Sequence, residues 1–432
     1  MHEFTYRDGI LHCEGVPLTD LVARHGTPLY VYSAETIRGH FRRLDRALAD
    51  LDHRVCFAMK ANSNLAVLDL LAREGAGFDI VSGGELFRVL KAGGRAGDCT
   101  FAGVGKTREE IEYALREGVY SFNVESEAEL HFLDEVAGSL GRKAPVALRV
   151  NPDVDAQTHK YISTGKSHNK FGIGIDRILG VYAQAAKLPN LIIRGIQTHI
   201  GSQILETTPF VEAMDKLIPI VRELQKTYGI EFFSIGGGVG IIYHGTLESG
   251  SRDWWDTGKE EGARRIGFDE YAQAVVPLLK GLGLKILLEP GRSLVGNAGA
   301  LLATVLYVKH TPAKSFVITD TGMNDLIRPA LYEGHHEIAL LKEPAEGAPT
   351  GPVDVVGPVC ESGDFFAQDR QLSAVEPGDG LALLSAGAYG FVMASNYNSR
   401  RLPAEILVDG EKAEVVRERQ TWDDLVLGER IP

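Results

Sequence analysis

The sequence predicts an α/β plus all-β protein: a (β/α)8 TIM-like barrel followed by a C-terminal β domain that also takes in an N-terminal hairpin. Between Val55 and Glu289, eight short apolar runs alternate with seven stretches of helical period. Polar or glycine residues follow nearly every run. Beyond Gly291 the pattern changes to period-two runs divided by turn residues, the mark of antiparallel strands.

In chain order, FTYRDGILHCEG carries Asp8-Gly9 between short alternating runs, a hairpin signal. After TPLYVYS, the segment ETIRGHFRRLDRALADL spaces Ile37, Phe41, Leu44, Leu48 and Leu51 as one helical face. Its cap is Ser33 or a polar neighbour, and this helix precedes the first barrel strand. The eight runs are VCFAM, GFDIV, CTFAG, YSFNV, VALRV, IRGIQTHI, FFSIG and KILLE. Strands buried on both faces read as continuous apolar runs, and their alternation with helices implies right-handed crossovers in a parallel sheet. An open doubly wound sheet is the alternative. The strand-end residues Lys60, Asp79, Asn123, Asn151, His199, Gly236 and Glu289 bear on the choice, because a barrel gathers all such ends on one face.

Two intervals depart from a minimal barrel. NPDVDAQTHKYISTGKSHNKFGIG after the fifth strand is polar and helix-poor, the profile of a functional loop. GTLESGSRDWWDTGKEEGARRIG after the seventh reads as a surface insertion or a lid. Past the barrel, TVLYVKH, KSFVITD, EIALLK, PVDVVG, GLALLS and AEILVDGEKAEVV read as strands, the last a hairpin turning at Asp409-Gly410. The expected division is a barrel over residues 31–290, with residues 1–30 and 291–432 forming the β domain.

Composition narrows the partners. Apolar residues make up 44% and charged residues 24% of the chain, enough for a large core. The net charge of −13 argues against nucleic acid or an anionic membrane as the main partner. Cys13, Cys56, Cys99 and Cys360 form no C-x-x-C pair and show no zinc spacing, so neither a disulfide framework nor a metal site is indicated. MHEFTYRDG lacks a leader pattern and no apolar run is long enough to span a bilayer, which makes the cytoplasm the expected compartment.

At the end of VCFAM stands Lys60. A lysine closing a buried strand places its ammonium where water is scarce, and desolvation lowers the pKa of such an amine and makes it a nucleophile. The alternative, a side chain that only snorkels to the strand end, stays open on this segment alone. FAGVGKT and STGKS resemble the tail of a P-loop, but the rule needs a glycine where Thr100 and Lys160 stand. The run GGGVG at Gly236–Gly240 lacks the dinucleotide spacing; its glycines either make a tight turn or let backbone N–H groups approach a phosphate. EPGRSLVGNAG follows the eighth run with Arg292, and two adjacent glycine-rich loops with one arginine suit an anion.

With FAMKANSN, GFDIVSGGEL, NPDVDAQTHKYISTG, THIGSQI, SIGGGVG, EPGRSLV, MNDLIRPALY, GPVCESGDFFAQDR and AGAYGFVMAS in this order, the chain resembles, along nearly its whole length, the pyridoxal 5'-phosphate-dependent basic amino acid decarboxylases. These pair an alanine-racemase-type barrel with a β domain. The resemblance is strongest to the branch acting on meso-2,6-diaminopimelate. It implies that Lys60 carries the cofactor, that His199 stacks on its ring and that Glu289 pairs with the ring nitrogen. Gly236, Gly237, Gly238, Gly291, Arg292, Ser202 and Tyr389 are implied for the phosphate region, and Asp79 for the cofactor's surroundings. For the substrate it implies Arg292, Arg328 and Tyr332 at the distal carboxylate, Tyr389 nearby, Glu361 at the distal ammonium, and Cys360 as the proton donor to Cα.

The implied reaction removes the D-centre carboxylate to give L-lysine and carbon dioxide, the last step of lysine biosynthesis. A homodimer with shared sites is implied as well, because Cys360 and Glu361 reach the neighbouring barrel in this family. The competing readings are a decarboxylase of ornithine, lysine or carboxynorspermidine, and a non-catalytic pyridoxal-phosphate binder. Arg328, Tyr332 and Glu361 argue for the diacid, and Cys360 argues against the binder.

Overall fold

A computed structural model of the chain describes residues 2–155, 170–250 and 266–432. These fall into two compact units. One comprises residues 38–155, 170–241 and 266–294; the other comprises residues 2–37, 242–250 and 295–432.

The first unit is a closed barrel of eight parallel strands, the architecture expected over the open sheet. The strands are His53–Ala58, Gly77–Ile80, Cys99–Phe101, Ser121–Val124, Ala144–Asn151, Leu191–Thr198, Phe232–Ser234 and Lys285–Leu288. Closure comes from pairing of the eighth strand with the first, in the register Ile286↔His53, Leu287↔Arg54 and Leu288↔Val55. Among the described residues seven α-helices lie between the strands, and four of them carry a side-chain cap. Asn64, Ser82 and Ser126 each accept a first-turn backbone N–H, and Thr107 forms a reciprocal capping box with Glu110. Inside, Cys56, Ala147, Phe232 and Leu287 form a buried cluster. Gly195 leaves room for the Phe232 ring, which a Cβ there would meet at 2.6 Å, and the sixth strand shifts register beside it. The helix expected over residues 35–51 spans Ala34–Ala47, capped by Ser33, because its last residues tighten into i→i+3 turns.

The second unit is built on a long sheet. Along its main path the strands are Phe365–Ser373, Thr350–Val356, Ser315–Thr319, Gly299–His310, Leu29–Ser33, Ala404–Asp409 and Lys412–Arg417, and off this path Gly380–Leu383 pairs with Gly299–His310 and with Ile338–Leu340. Leu29–Ser33 joins this sheet in parallel with Ala404–Asp409 and is buried throughout. The N-terminal strands Phe4–Arg7 and Ile10–Cys13 form the expected hairpin, and Phe4, Leu11 and Cys13 pack with Val31, Leu302, Leu341 and Ile406 in one core. Residues 242–250, which strand alternation placed with the barrel, hydrogen-bond within this unit: Thr246 contacts Ser385, and the Leu247 N–H donates to Glu337. Most of the two long intervals singled out from sequence, residues 156–169 and 251–265, lies outside the described residues.

Candidate active site

The C-terminal ends of the barrel strands collect most of the polar residues expected there. Lys60 stands in a short 3-10 turn, Met59–Ala61, immediately beyond the first strand. Its side chain is 40% exposed, so the lysine is not the buried strand-end amine that the run VCFAM suggested. The local cause is the turn itself: the strand ends at Ala58, and Lys60 lies two residues beyond it. Its partner is Asp79 at the end of the second strand, 1% exposed, with Nζ 3.5 Å from Oδ2. Burial raises the Asp79 pKa, while the Lys60 charge opposes that rise. An ammonium therefore sits at the mouth of the barrel over a buried carboxyl.

Glu289 follows the eighth strand and is buried. Three side chains donate to it: Ser234 Oγ at 2.7 Å, Gln197 Nε2 at 2.8 Å and Asn123 Nδ2 at 3.3 Å. They come from the seventh, sixth and fourth strands, so the barrel itself fixes the carboxylate. Burial and the nearby Asp79 push its pKa up to about 7 in spite of these donors. The side-chain amide oxygens of Asn123 and Gln197, Oδ1 and Oε1, are buried without a protein partner. Asn123 entered the sequence reading only as a strand end; Gln197 and Ser234 were missed. Ser234 is the one polar residue in FFSIG, whereas Gln197 stands in IRGIQTHI among Arg194, Thr198 and His199, so nothing in that run singles it out.

His199 lies just past the sixth strand, where its Nδ1 accepts from the Gly237 N–H at 3.2 Å. That bond places the ring proton on Nε2. Burial, with the charges of Arg149 and Lys60, holds the His199 pKa well below its usual value, so the imidazole is neutral. Arg149 is itself held by Glu125 at 2.7 Å, a buried pair whose second carboxylate oxygen accepts from Gly172.

The three glycines after the seventh strand are required by close backbone approach. A Cβ at Gly236 would lie 2.4 Å from Thr198 O, and one at Gly237 would lie 2.2 Å from Glu289 O. Gly236 and Gly238 also have positive φ, 72° and 114°. Beside them Arg292 opens a short helix, buried, and donates to Ser202 Oγ at 3.1 Å. Gly291 packs against the end of the first strand, 3.1 Å from Ala58 O to its would-be Cβ. Lys106 of FAGVGKT faces inward and bonds Glu129, Gly103 O and Asn123 O, a buried structural lysine rather than a phosphate ligand.

Arg328, Tyr332, Cys360, Glu361 and Tyr389 belong to the second unit. Arg328 is buried and begins the short helix Arg328–Tyr332; Tyr332 is half-buried. Cys360 and Glu361 are exposed on a turn tied down by Asp364, whose carboxylate accepts from the Val359 and Met323 N–H groups, each at 2.6 Å. Tyr389 has φ 56°, a left-handed conformation rare for an aromatic residue. Gly387 allows the chain to turn there, since a Cβ on it would lie 2.0 Å from Val295 O.

An amine, a buried carboxylate with three donors, a neutral histidine and a glycine loop beside an arginine form a donor set that fits pyridoxal phosphate. Among the described residues no cluster of histidine, cysteine and acidic side chains could hold a metal ion, and no helix is long and apolar enough to cross a membrane.

Comparison with known proteins gives consistent findings. Residues 34–296 match the family model described as the pyridoxal binding domain of pyridoxal-dependent decarboxylases. The chain is 51% identical to diaminopimelate decarboxylase of Pseudomonas aeruginosa over 432 residues, covering 100% of this chain and 99% of that one. Identity to the Vibrio cholerae diaminopimelate decarboxylase is 48%, with 98% of each chain covered. Among solved structures, diaminopimelate decarboxylase from Helicobacter pylori complexed with L-lysine is similar at a TM-score of 0.87 and 41% identity, over 95% of this chain and 98% of that one. The M. jannaschii diaminopimelate decarboxylase, in co-complex with L-lysine, gives 0.90 and 36%, over 100% and 99%.

Proposed function

The chain belongs to the diaminopimelate decarboxylases within the pyridoxal-dependent decarboxylase family, and on that premise we infer how its own residues perform the reaction. It is a pyridoxal-phosphate-dependent carboxy-lyase that converts meso-2,6-diaminopimelate, at its D-centre, to L-lysine and carbon dioxide, the last step of lysine biosynthesis. When bound, the cofactor supplies an electron sink for the pair left on Cα as carbon dioxide departs.

The observation that carries the residue-level reading is the placement of Lys60 over buried Asp79 on the same barrel end as Glu289 and the Gly236–Gly238 loop. Lys60 would hold the cofactor's aldehyde carbon through Nζ, and Asp79, 3.5 Å from it, would tether that side chain at the barrel end. Arg292, Ser202, Gly291, Tyr389 and the glycine loop would take the phosphate. His199 would lie against the ring; because it is neutral, it adds no competing cation. Glu289 would face the ring nitrogen, and a protonated nitrogen there favours the ionised carboxylate against its burial. Glu289 would hold a proton on that nitrogen, and the strands supplying Ser234, Gln197 and Asn123 fix the direction of its carboxylate.

For the substrate, Arg328 and Arg292 with Tyr332 and Tyr389 would bind the distal carboxylate, where paired guanidinium groups offer fork geometry that lysine lacks. Glu361 would take the distal ammonium. Cys360 would deliver a proton from Sγ to Cα after the carboxylate has left. The exposure of Cys360 and Glu361 supports a homodimer in which each chain lends this turn to its partner's site. The cytoplasm, where such a pathway enzyme meets its substrate, is the proposed compartment.

The test is a substrate panel with carbon dioxide detection. Purified protein with added pyridoxal phosphate releases carbon dioxide and L-lysine from meso-diaminopimelate. Release from ornithine, lysine or carboxynorspermidine but not from the diacid would refute the substrate assignment.

A further inference from the structure

Arg328 and His336 form a contact that the reading above does not use. Arg328 opens a helix of one turn that ends at Glu333, φ 52°, and the chain then doubles back so that the Gly334 N–H donates to Arg328 O at 3.2 Å. The reversal brings the His336 ring against the guanidinium, with Arg328 Nη1 2.6 Å from His336 Nε2. Arginine has only donors, so Nε2 must be the acceptor. The other ring nitrogen, Nδ1, is 2.8 Å from Leu384 O and must therefore carry the proton. Both neighbours thus select one neutral tautomer. A protonated ring would have no lone pair for Arg328.

The support behind this contact is rigid. Leu384 N–H donates to Glu337 O, and strand Ile338–Leu340 pairs with Gly380–Leu383 directly beyond, so the acceptor for Nδ1 is part of a sheet. Tyr243 completes the arrangement: its ring lies edge-on to His336 at 5.5 Å, and Arg328 Cζ stands 4.5 Å from its centroid. Arg328, Tyr243 and His336 are all buried, His336 completely. A carboxylate in the place of His336 would orient the guanidinium but also neutralise it. A lone pair and a π face orient it without themselves neutralising its charge.

We propose that His336, through Nε2 and with Tyr243 beside it, is the positioning residue that fixes the Arg328 guanidinium for the distal carboxylate of the substrate and so sets selectivity for a ligand bearing that carboxylate. This rests on the assignment of Arg328 to that carboxylate. L-lysine retains the group, whereas 1,5-diaminopentane lacks it, so the pair of ligands isolates the contribution.

The experiment titrates holoenzyme with each ligand and follows the cofactor absorbance, with thermal unfolding as a check on assembly. Asparagine can place an amide N–H near the Nδ1 position, whereas glutamine can place an amide oxygen near Nε2. His336→Asn, which keeps the bond to Leu384 but loses the acceptor, should weaken L-lysine roughly ten- to hundred-fold, the loss of a hydrogen bond to a charged group, and leave 1,5-diaminopentane unchanged. His336→Gln, which keeps the acceptor, should retain most of the preference for lysine. Equal weakening of both ligands in His336→Asn, or no weakening of lysine, overturns the proposal. Should His336→Asn fail to bind the cofactor, the His336→Gln holoenzyme decides: discrimination retained supports the proposal, and discrimination lost overturns it. Arg328→Gln separates the two levels. If that variant still prefers lysine, the assignment of Arg328 itself falls; if it loses the preference while His336→Asn keeps it, only the role of His336 falls.

Discussion

Replacing Gln197 by leucine tests how the barrel controls Glu289. Gln197 Nε2 donates at 2.8 Å to a carboxylate whose pKa already stands at about 7 through burial. A hydrogen bond to an ionised group contributes about 1.5–3 kcal/mol. At about 1.4 kcal/mol per pKa unit, its loss should raise Glu289 by about one to two units in the cofactor-free protein. At pH 7.5 the ionised fraction would fall from roughly three quarters to roughly a quarter or less. Stability should change little, because the same substitution also removes the Gln197 side-chain amide oxygen, buried without a protein partner. The assay is a pH titration of the carboxyl stretch by infrared difference spectroscopy, with Glu289→Gln identifying the band. A midpoint unmoved in Gln197→Leu would refute the reasoning, since Ser234 and Asn123 alone would then set the proton.

Other expectations follow from the same geometry. Gly237→Ala places a Cβ 2.2 Å from Glu289 O, a backbone atom that cannot swing aside, and should weaken pyridoxal phosphate binding at least roughly tenfold by absorbance titration. Cys360→Ala should slow turnover far more than it weakens cofactor binding; equal losses of both would point to packing. The cofactor-free protein should lose stability as pH rises from about 4.5 through about 7, by up to roughly 3 kcal/mol from Glu289, with Asp79 adding in the same direction. The sign follows because burial raises both pKa values: the protonated form is favoured in the fold, and that advantage disappears once the carboxyls ionise. Glu289→Gln should flatten this slope in denaturant titrations across the same range.

The barrel was legible because its strands are buried on both faces and leave continuous apolar runs that alternate with stretches of helical period. Phe365–Ser373 was not legible: its centre, Gln368–Gln371, is wholly polar, so the buried Phe366, Ala367 and Leu372 toward its two ends do not read as one apolar run, and pairing with Thr350–Val356 defines the strand. Lys60 was found from position, but the desolvation inferred for it was not, because the strand ends at Ala58 and Lys60 lies two residues beyond it, in a turn. The donors to Glu289 escaped notice for a related reason. Register decides which strand residues face the barrel axis, and register is a long-range property that a local run does not encode. Arg328 stood out in MNDLIRPALY, whereas His336, eight positions on, gains meaning only when the chain doubles back and Leu384 fixes its tautomer.

The central claim is that Lys60, set over Asp79 at the mouth of the barrel, is the residue that holds pyridoxal phosphate. Borohydride reduction of the holoenzyme followed by peptide mass mapping tests this directly. The pyridoxyl mass should sit on Lys60, in the peptide containing VCFAMKANSN, and should be lost in Lys60→Ala. A label on any other lysine, or one that persists unchanged in Lys60→Ala, would contradict the account.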